Sequence, residues 1–585
     1  MVLLRDRDSD GRADEKTVLL SGFGTADGRN LIGSFTWSPE GDLLFCEGSG
    51  LLSRVETPYG PVHSRGGAIY RYDPRTRELD FHVRKPLGSP RGLCFERWGQ
   101  ALFVDAGTGA GFWSAPLGGS LARPPAGSLA PASAIPVRYR PITAARFISS
   151  RHFPAAMQGE LLVANADGFR GLLRHAFSAD DLETGNSHPV STSTEIFLAS
   201  SDPAFRPVDL RFGPEGALYI VDWYNPVISH RDQSLRDPGR DHHHGRIWRV
   251  RHATRKLLDP PAIENAPLSA LLDLLKSPEA ATRYRTRREL SGRDGIEVVG
   301  ALDRWVKILD RKDENYAHHL LEALWVYRVH DALSEDLIEG ALWDEDYRAR
   351  AAATRLLRAM LGFSPTARAL LATQANDPHS GVRVEAAIAS SRIDSLEGAR
   401  IALEITKNPM DPALETLVQE TLEILEPHWK KPLLRGRLIQ PPKSSGIDLM
   451  LRCFDADELL AVPRSFAAYR AFLRTPKIPP HNIHEALEVL ASSRGTSPLE
   501  ELLPAIQAAE AALSPKLPEL LAVLRSMRNL PMPESGEILL ELHGASRSVA
   551  VRRSAAIALR ANSPRTGDLL YLAEAHPPLL RDLLE

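Results

Sequence analysis

One pattern of apolar and polar positions recurs four times in the first half of the chain. Each copy is a turn glycine, a short apolar run of strand length, and an acid or amide six residues after the glycine. The copies span residues 41–47, 99–105, 159–165 and 216–222, and they are separated by 58, 60 and 57 residues. Strand-rich repeats of this size are typical of β-propeller blades. Because equivalent positions of blades project to the same place, we expect Glu47, Asp105, Asn165 and Asp222 to converge on one end of a central channel.

The pattern becomes helical in the second half, where apolar residues follow i, i+3 and i+4 spacing. Three segments, around Arg350, Arg383 and Arg552, place an arginine before paired alanines at a helix start, as HEAT-type helix pairs do. We therefore predict a multi-domain protein, β then α. The predicted parts are an incomplete β-propeller with about four visible blades at 1–255, an α-solenoid of HEAT or armadillo-like helix pairs at 256–428, an irregular linker or insertion at 429–480, and further HEAT-like helices at 481–585.

Composition excludes several classes of function. At 585 residues the chain is too long for one core, and its formal net charge of −3 gives no case for nucleic acid or an anionic membrane. No apolar stretch is long enough to span a bilayer, and no signal peptide opens the chain. The three cysteines form neither a zinc spacing nor a haem-attachment motif, so no haem is expected in this chain.

An acidic loop near the N-terminus is a candidate calcium site. Carboxylates stand at alternate positions around a glycine turn, and Arg12 offers its backbone carbonyl. The expected ligands are Asp6, Asp8, Asp10, Arg12 and Asp14. Ca²⁺ takes several such oxygens, although the EF-hand glutamate at the twelfth place is replaced by Thr17. The alternative is a solvated acidic turn without a metal.

The densest polar segment follows the last copy of the repeat, between residues 206 and 246. Loops with Arg, Asp, His and Asn on a rigid sheet often bind ligands or transfer protons. The candidate catalytic residues are His230, His244 and Asp222, with one of the histidines as base. The candidate cofactor-binding residues are Arg206, Asp209, Asn225, Arg240 and Arg246. The alternative is structural, because Asp–Arg pairs often only join the loops of neighbouring blades.

The segment 205–249 resembles a recognisable family. Its motifs include Phe205-Arg206-Pro207-Val208-Asp209, Asp222-Trp223-Tyr224-Asn225-Pro226 and His244-Gly245-Arg246-Ile247-Trp248-Arg249. They resemble the large propeller-plus-HEAT proteins of planctomycete-type bacteria that are labelled membrane-bound dehydrogenases, whose propeller is similar to quinoprotein glucose/sorbosone dehydrogenases. The chain departs from this family in three ways. It starts in mid-propeller, it has Ser89–Leu93 where an Asn-Pro-Trp-Gly-His segment is expected, and it lacks the family's haem module.

The resemblance implies a sugar or sugar-alcohol dehydrogenase-like oxidoreductase. Such an enzyme would use Ca²⁺ and pyrroloquinoline quinone, would pass electrons to an external acceptor, and would be periplasmic or exported. The rival hypothesis is a non-catalytic protein, in which the propeller binds a glycan or a protein and the HEAT solenoid docks a protein partner.

Overall fold

The structure is a computed structural model that describes most of the chain. The residues outside the description are 9, 27, 29, 84–86, 108, 114–134, 136–138, 178–190, 228–233, 235, 435–443, 532–533, 564–578, 580–581 and 583–585. Across the described residues, no helix has both the length and the apolar character needed to cross a bilayer.

The first 250 residues form short antiparallel strands. The strands are β1 (Val2–Arg5), β2 (Glu15–Val18), β3 (Gly33–Trp37), β4 (Leu43–Glu47), β5 (Leu52–Val55), β6 (Val62–Arg65), β7 (Ala68–Asp73), β8 (Glu78–Val83), β9 (Pro90–Phe95), β10 (Ala101–Asp105), β11 (Ala110–Trp113), β12 (Ile142–Phe147), β13 (Leu161–Asp167), β14 (Phe169–Phe177), β15 (Ser191–Ala199), β16 (Pro207–Phe212), β17 (Leu218–Asp222) and β18 (Arg246–Val250).

Four of the sheets contain one copy of the sequence repeat each. Their strand orders are β3-β4-β7-β8, β9-β10-β11, β12-β13-β14-β15 and β16-β17-β18, and the hairpins β1-β2 and β5-β6 are separate sheets. In each of the four, the repeat supplies the second strand. Among the described strands, none of these sheets closes on itself.

The repeated glycine is explained by the turn between the first two strands. In three sheets the four-residue turns 38–41, 96–99 and 213–216 end on this glycine, whose N–H donates to the carbonyl of the first turn residue. All four repeat glycines have φ between 82° and 93°, a conformation that strains any residue with a Cβ. The spacing of the repeat therefore records a shared hairpin geometry.

Successive sheets are joined by apolar cores. Leu44 of the first sheet and Phe103 of the second lie in one buried cluster. A second cluster joins the second and third sheets, and a third joins Leu172 of the third sheet to Leu210 and Ile220 of the fourth. The four sheets are thus stacked face to face in chain order.

From residue 268 the chain is helical. The helices are α1 (Leu268–Leu274), α2 (Ala280–Ser291), α3 (Gly295–Lys307), α4 (Tyr316–Val329), α5 (Glu335–Leu342), α6 (Tyr347–Leu357), α7 (Pro365–Gln374), α8 (Ser380–Ser390), α9 (Leu396–Glu404), α10 (Pro412–Ile424), α11 (Glu426–Leu434), α12 (Ser444–Leu451), α13 (Ala456–Ala461), α14 (Phe466–Phe472), α15 (Pro480–Arg494), α16 (Pro498–Ala511), α17 (Leu517–Ser526), α18 (Glu534–Ala545) and α19 (Val549–Asn562).

An arginine secures the start of several helices in the same way. Arg283, Arg350, Arg383 and Arg552 each donate from Nη1 to the two backbone carbonyls five and six residues before them. These carbonyls lie in the turn that precedes the helix, so one side chain fixes the angle between two helices. Three of the four are the arginines singled out in the sequence, and Arg283 adds a fourth copy.

The chain divides into two compact units at a different place from the predicted boundary at 255. One unit contains residues 1–121, 131–393 and 408–417, and therefore holds both the strands and the first helices. The other includes residues 394–407 and 418–585. The segment 429–480, predicted as irregular, contains helices α12, α13 and α14. Asp455 and Ser465 accept backbone N–H groups at the starts of the last two, which is why such short helices form there.

Candidate functional site

Asp222, at the end of β17, is the centre of the polar segment that the sequence singled out. Its side chain is buried, and both carboxylate oxygens accept two hydrogen bonds. Oδ1 accepts from the backbone N–H of Arg206 at 2.8 Å and of Tyr224 at 2.9 Å. Oδ2 accepts from Arg246 Nε at 2.8 Å and from Trp248 Nε1 at 2.9 Å. A carboxylate with four donors already on it organises a loop and is poorly placed to take a proton from a ligand.

Asp105, at the end of β10 in the second sheet, accepts hydrogen bonds from backbone groups in positions equivalent to those that bond Asp222. Its Oδ1 accepts from the N–H of Ser89, just before β9, and from the N–H of Gly107, two residues after itself. Glu47 accepts from the hydroxyl of Tyr70 at 2.8 Å and from that of Ser53, while the amide of Asn165 donates to a carbonyl of its own strand. All four residues of the repeat are buried and bonded to protein groups.

Two of the arginines expected to bind a cofactor are engaged with backbone carbonyls. Arg206 is 4% exposed, and its three nitrogens donate to the carbonyls of Asn225, Ala166 and Pro226. Burial lowers its pKa from the ordinary arginine value. Arg240 donates to the carbonyls of Ser234 and Val227. These arginines therefore tie the loop together, and the buried Asn225 does so as well.

Arg246 is different, because it forms a partly exposed cluster with two aromatic rings. Its guanidinium carbon lies 4.0 Å from the centre of the Tyr224 ring and 5.1 Å from that of Trp248. Tyr224 has a φ of 53°, an uncommon conformation for a non-glycine residue, which the hydrogen bond of its N–H to Asp222 holds in place. The Trp248 side chain is 45% exposed although its indole N–H is bonded. We call Tyr224, Arg246 and Trp248 the aromatic–arginine cluster.

His244 stands two residues before Arg246 and is paired with Asp241. Its Nδ1 lies 2.9 Å from Asp241 Oδ2, and the side chain is exposed. The backbone N–H of His243, followed by the His244 side chain, lowers the pKa of Asp241 to about 2. A carboxylate on Nδ1 orients the ring and leaves Nε2 for solvent or a ligand. His230, the other candidate base, lies outside the described residues.

Among the described residues, Asp209 bonds its neighbours on β16 and not the aromatic–arginine cluster. It faces solvent on β16, where Oδ2 accepts from Arg211 at 3.0 Å and Oδ1 accepts from the N–H of Leu210. In the described part of the chain, no hydrogen bond or ion pair joins it to the cluster residues.

The acidic loop connects β1 to β2. Carboxylate oxygens of Asp6, Asp8 and Asp14 lie within 4.8 Å of one another. Oxygens that share a calcium ion at about 2.3–2.6 Å are separated by no more than about 5 Å, so these three fit a common ion. Asp10 is outside this group and accepts from the N–H of Arg12.

Three residues of this site, Tyr224, Asp241 and Trp248, were not predicted as site residues. Asp241 and Trp248 stand in a strongly polar stretch of loop and strand, so proximity to His244 and Arg246 was the available signal. Nothing in the sequence around Tyr224 indicates its left-handed backbone conformation.

The comparisons with known proteins leave the family open. A family model for a domain of unknown function, DUF7133, matches residues 1–128 and 138–254, which is less than half of the chain. No curated protein matches. A solved structure to which the function of a gluconolactonase is ascribed has 18% identity and a TM-score of 0.22, and the match covers 35% of this chain and 60% of that one. A solved engineered protein has 16% identity and a TM-score of 0.22, with 50% and 78% covered. Neither likeness supports an argument about function.

Proposed function

We propose that residues 1–255 form an incomplete β-propeller whose loops between residues 206 and 248 bind a carbohydrate or sugar-alcohol-like ligand. The four stacked sheets and the turn geometry that three of them share support the propeller. The helices with a repeated arginine clamp support a HEAT-type scaffold, which offers a surface to a protein partner.

The aromatic–arginine cluster is the observation that supports this binding face best. Asp222 fixes all three members, because it bonds the backbone of Tyr224 and the side chains of Arg246 and Trp248. Two aromatic rings and a guanidinium in one rigid, partly exposed group offer apolar faces and hydrogen-bond donors together. Hydroxyl-rich ligands with apolar C–H faces match that combination.

Chemistry at this face would use His244 as the base. Asp241 orients its ring, and the exposed imidazole can accept a hydroxyl proton from a bound ligand. Pyrroloquinoline quinone, an anionic cofactor, does not fit the residues expected to clamp it, because Arg206 and Arg240 already donate to backbone carbonyls. We therefore derive no oxidation step through a quinone.

The acidic loop adds a structural calcium site to the proposal. The three carboxylates of Asp6, Asp8 and Asp14 are the donor set that Ca²⁺ prefers, and the ion would tie the β1–β2 hairpin together. Calcium titration should protect the amides of residues 6–14 from hydrogen exchange. The change Asp8→Asn should abolish that protection, whereas Asp10→Asn should preserve most of it. Equal loss in both variants would contradict the three-carboxylate site.

Ligand binding is tested by calorimetric titration with glucose, sorbitol and a series of oligosaccharides. The variants Tyr224→Ala and Arg246→Lys should each weaken binding by about tenfold or more, which is about 1.4 kcal/mol. The matched control is Trp343→Ala, which removes an exposed indole at the end of helix α5. Binding that survives both cluster variants would overturn the proposal.

His244→Gln separates an enzyme from a binding module. If the face is catalytic, consumption of the bound ligand falls in this variant while ligand affinity is kept. Binding without turnover in the wild-type chain would favour the non-catalytic glycan-binding alternative.

A further inference from the structure

A polar cavity of about 340 Å³ lies between the first two sheets and the helices α4, α6 and α8, inside one compact unit. Its volume is at the lower end of the range for small-molecule sites, about 300–1,000 Å³. Leu44 and Phe95 line it from the sheets, and Arg328, Leu356 and Glu385 line it from the helices. It is remote in sequence from the loops at 206–248 and is not part of the binding face proposed above.

Charge in the cavity is balanced. Six arginines and six carboxylate side chains line it, so an ionised cavity has no net charge from these groups. His82 adds none, because burial and the nearby guanidinium of Arg358 hold its pKa well below the usual range. A balanced site disfavours ligands with a large net charge and favours one that carries both signs.

Most of the arginines are fully engaged. Arg75 forms close bonds with Asp73, and Arg355 and Arg358 share the carboxylate of Glu385. Arg71 has only distant ion pairs, at 3.5 Å from Asp42 and 3.8 Å from Asp80. Its guanidinium can therefore turn to an incoming carboxylate at little cost.

Arg328 is also only loosely paired. It lies 3.6 Å from both Asp73 and Asp331, beyond the usual length of a charge-assisted hydrogen bond. Two loosely paired guanidinium groups thus line the cavity from opposite sides, one on a strand and one on a helix.

Asp42 supplies the complementary group. Its residue is 2% exposed, and Oδ1 has no hydrogen-bond partner among the described residues. Its other oxygen faces Arg71. Burial is the main cause that raises the pKa of Asp42 to about 7. A buried polar atom without a partner is costly, and a donor on a ligand would remove that cost.

We propose that this cavity binds a small zwitterion of the α-amino-acid class, whose ammonium group donates to Asp42 Oδ1 and whose carboxylate accepts from Arg71. The two protein groups are neighbours, as are the two charged groups of an α-amino acid. A charged donor suits a desolvated carboxylate better than a hydroxyl does, because charge-assisted hydrogen bonds are about twice as strong as neutral ones. Arg328 is a second donor for the carboxylate.

The test is a calorimetric titration at pH 8 with a panel of α-amino acids. Each is matched with the primary amine that lacks its carboxylate and the acid that lacks its ammonium. Saturable binding of one or more amino acids, with both partial analogues at least about tenfold weaker, is the expected result. Absence of binding at millimolar concentration would overturn the proposal, as would equal binding of the amines or of sorbitol.

Asp42→Asn is the decisive variant, and it keeps the backbone N–H bond to Ser38. It should fold, because it removes a buried charge whose Oδ1 has no hydrogen-bond partner among the described residues, and it should lower amino-acid affinity by about tenfold or more. The matched control is Glu78→Gln, which makes the same charge change at the rim of the cavity and should alter affinity by less than about threefold. Unchanged binding in Asp42→Asn would place the ligand elsewhere.

Discussion

Replacing Asp222 by asparagine should loosen the fourth sheet strongly while leaving its shape almost unchanged. Asparagine keeps one acceptor oxygen but presents an NH₂ group to two of the four donors, whichever way the amide is oriented. Two buried donors then lack a partner, at about 1–3 kcal/mol each, and Arg246 loses its buried counter-ion. Together these losses amount to about 3–5 kcal/mol of local stability.

Hydrogen exchange is the suitable assay for Asp222→Asn, because a chain with two compact units does not unfold in one step. The amides of Arg206 and Tyr224 should exchange at least about 100-fold faster, as about 1.4 kcal/mol corresponds to a factor of ten. Asp209→Asn is the control, because that exposed carboxylate bonds Arg211 on the surface, and its effect should stay within about 0.5 kcal/mol. If Asp222→Asn changes the exchange of these amides by less than about threefold, Asp222 does not hold the fourth sheet and its loop together.

Three further changes test other parts of the chain. Gly99→Ala should destabilise the contact between the second sheet and α4 by more than about 1 kcal/mol, because its Cβ would lie 2.8 Å from the Trp325 ring at a φ of 82°. Hydrogen exchange of the α4 amides measures this loss. Glu322→Gln should cost about 3–5 kcal/mol of local stability, measured by hydrogen exchange in α2 and α4, because it leaves the buried Arg283 without its counter-ion. Wild-type stability should fall between about pH 4 and pH 7 through Asp42, and Asp42→Asn should remove that slope in pH-dependent unfolding.

The first two of these changes have a matched control variant. Gly50→Ala shares the positive φ but meets no atom within 4 Å, so only the backbone strain should appear. Glu297→Gln removes an exposed helix charge and should be neutral within about 0.5 kcal/mol. An effect of Gly99→Ala no larger than that of Gly50→Ala would contradict the packing argument, and a neutral Glu322→Gln would contradict the buried pair.

The sign of the pH effect follows from proton binding. The folded pKa of Asp42, about 7, is above its ordinary value of 3.8, so the folded chain holds a proton that the unfolded chain has already lost. Stability therefore decreases as pH rises through this window and levels off above about pH 7. Arg71 and Arg75 oppose the shift, whereas Glu40 and Asp73 add to it. A wild-type slope equal to that of Asp42→Asn would show that another group titrates.

The parts of the fold that depend on neighbours in the chain could be predicted from the sequence. The glycine of each repeat marks a turn with positive φ, and the apolar run after it is a buried second strand. The arginines before paired alanines mark helix starts, because their bonding partners are only five and six residues away. The unit boundary could not be predicted, since the side chains that join sheet to helix are far apart in sequence. Arg75 and Asp331 are one such pair.

For the candidate site, too, the sequence indicated the residues but not their geometry. The sequence located the polar loop and the acidic hairpin, but it could not show which groups are saturated. Arg206 was expected to bind a cofactor, yet its three nitrogens donate to two carbonyls of the loop after β17 and to the carbonyl of Ala166 in β13. Tyr224 gave no signal, because its role comes from a backbone conformation imposed by Asp222.

The two proposed ligand sites differ in the parts of the fold that a bound ligand would stabilise. Arg392, just after α8, bonds Asp80 of β8 at 2.7 Å, and Arg75, in the turn between β7 and β8, bonds Asp331, just after α4, at 2.5 Å, so charges beside the cavity link the first sheet to the ends of two helices. A zwitterion between Asp42 and the arginines would join that network, because it touches acids of the sheet and bases of both elements. The cluster at Tyr224 and Arg246 is held by Asp222 of the fourth sheet and by an ion pair of 2.8 Å between Arg246 and Asp202, so a ligand there stabilises the loops beside that sheet. Ligands at the two sites should therefore protect different amides from exchange, and this difference separates the two proposals.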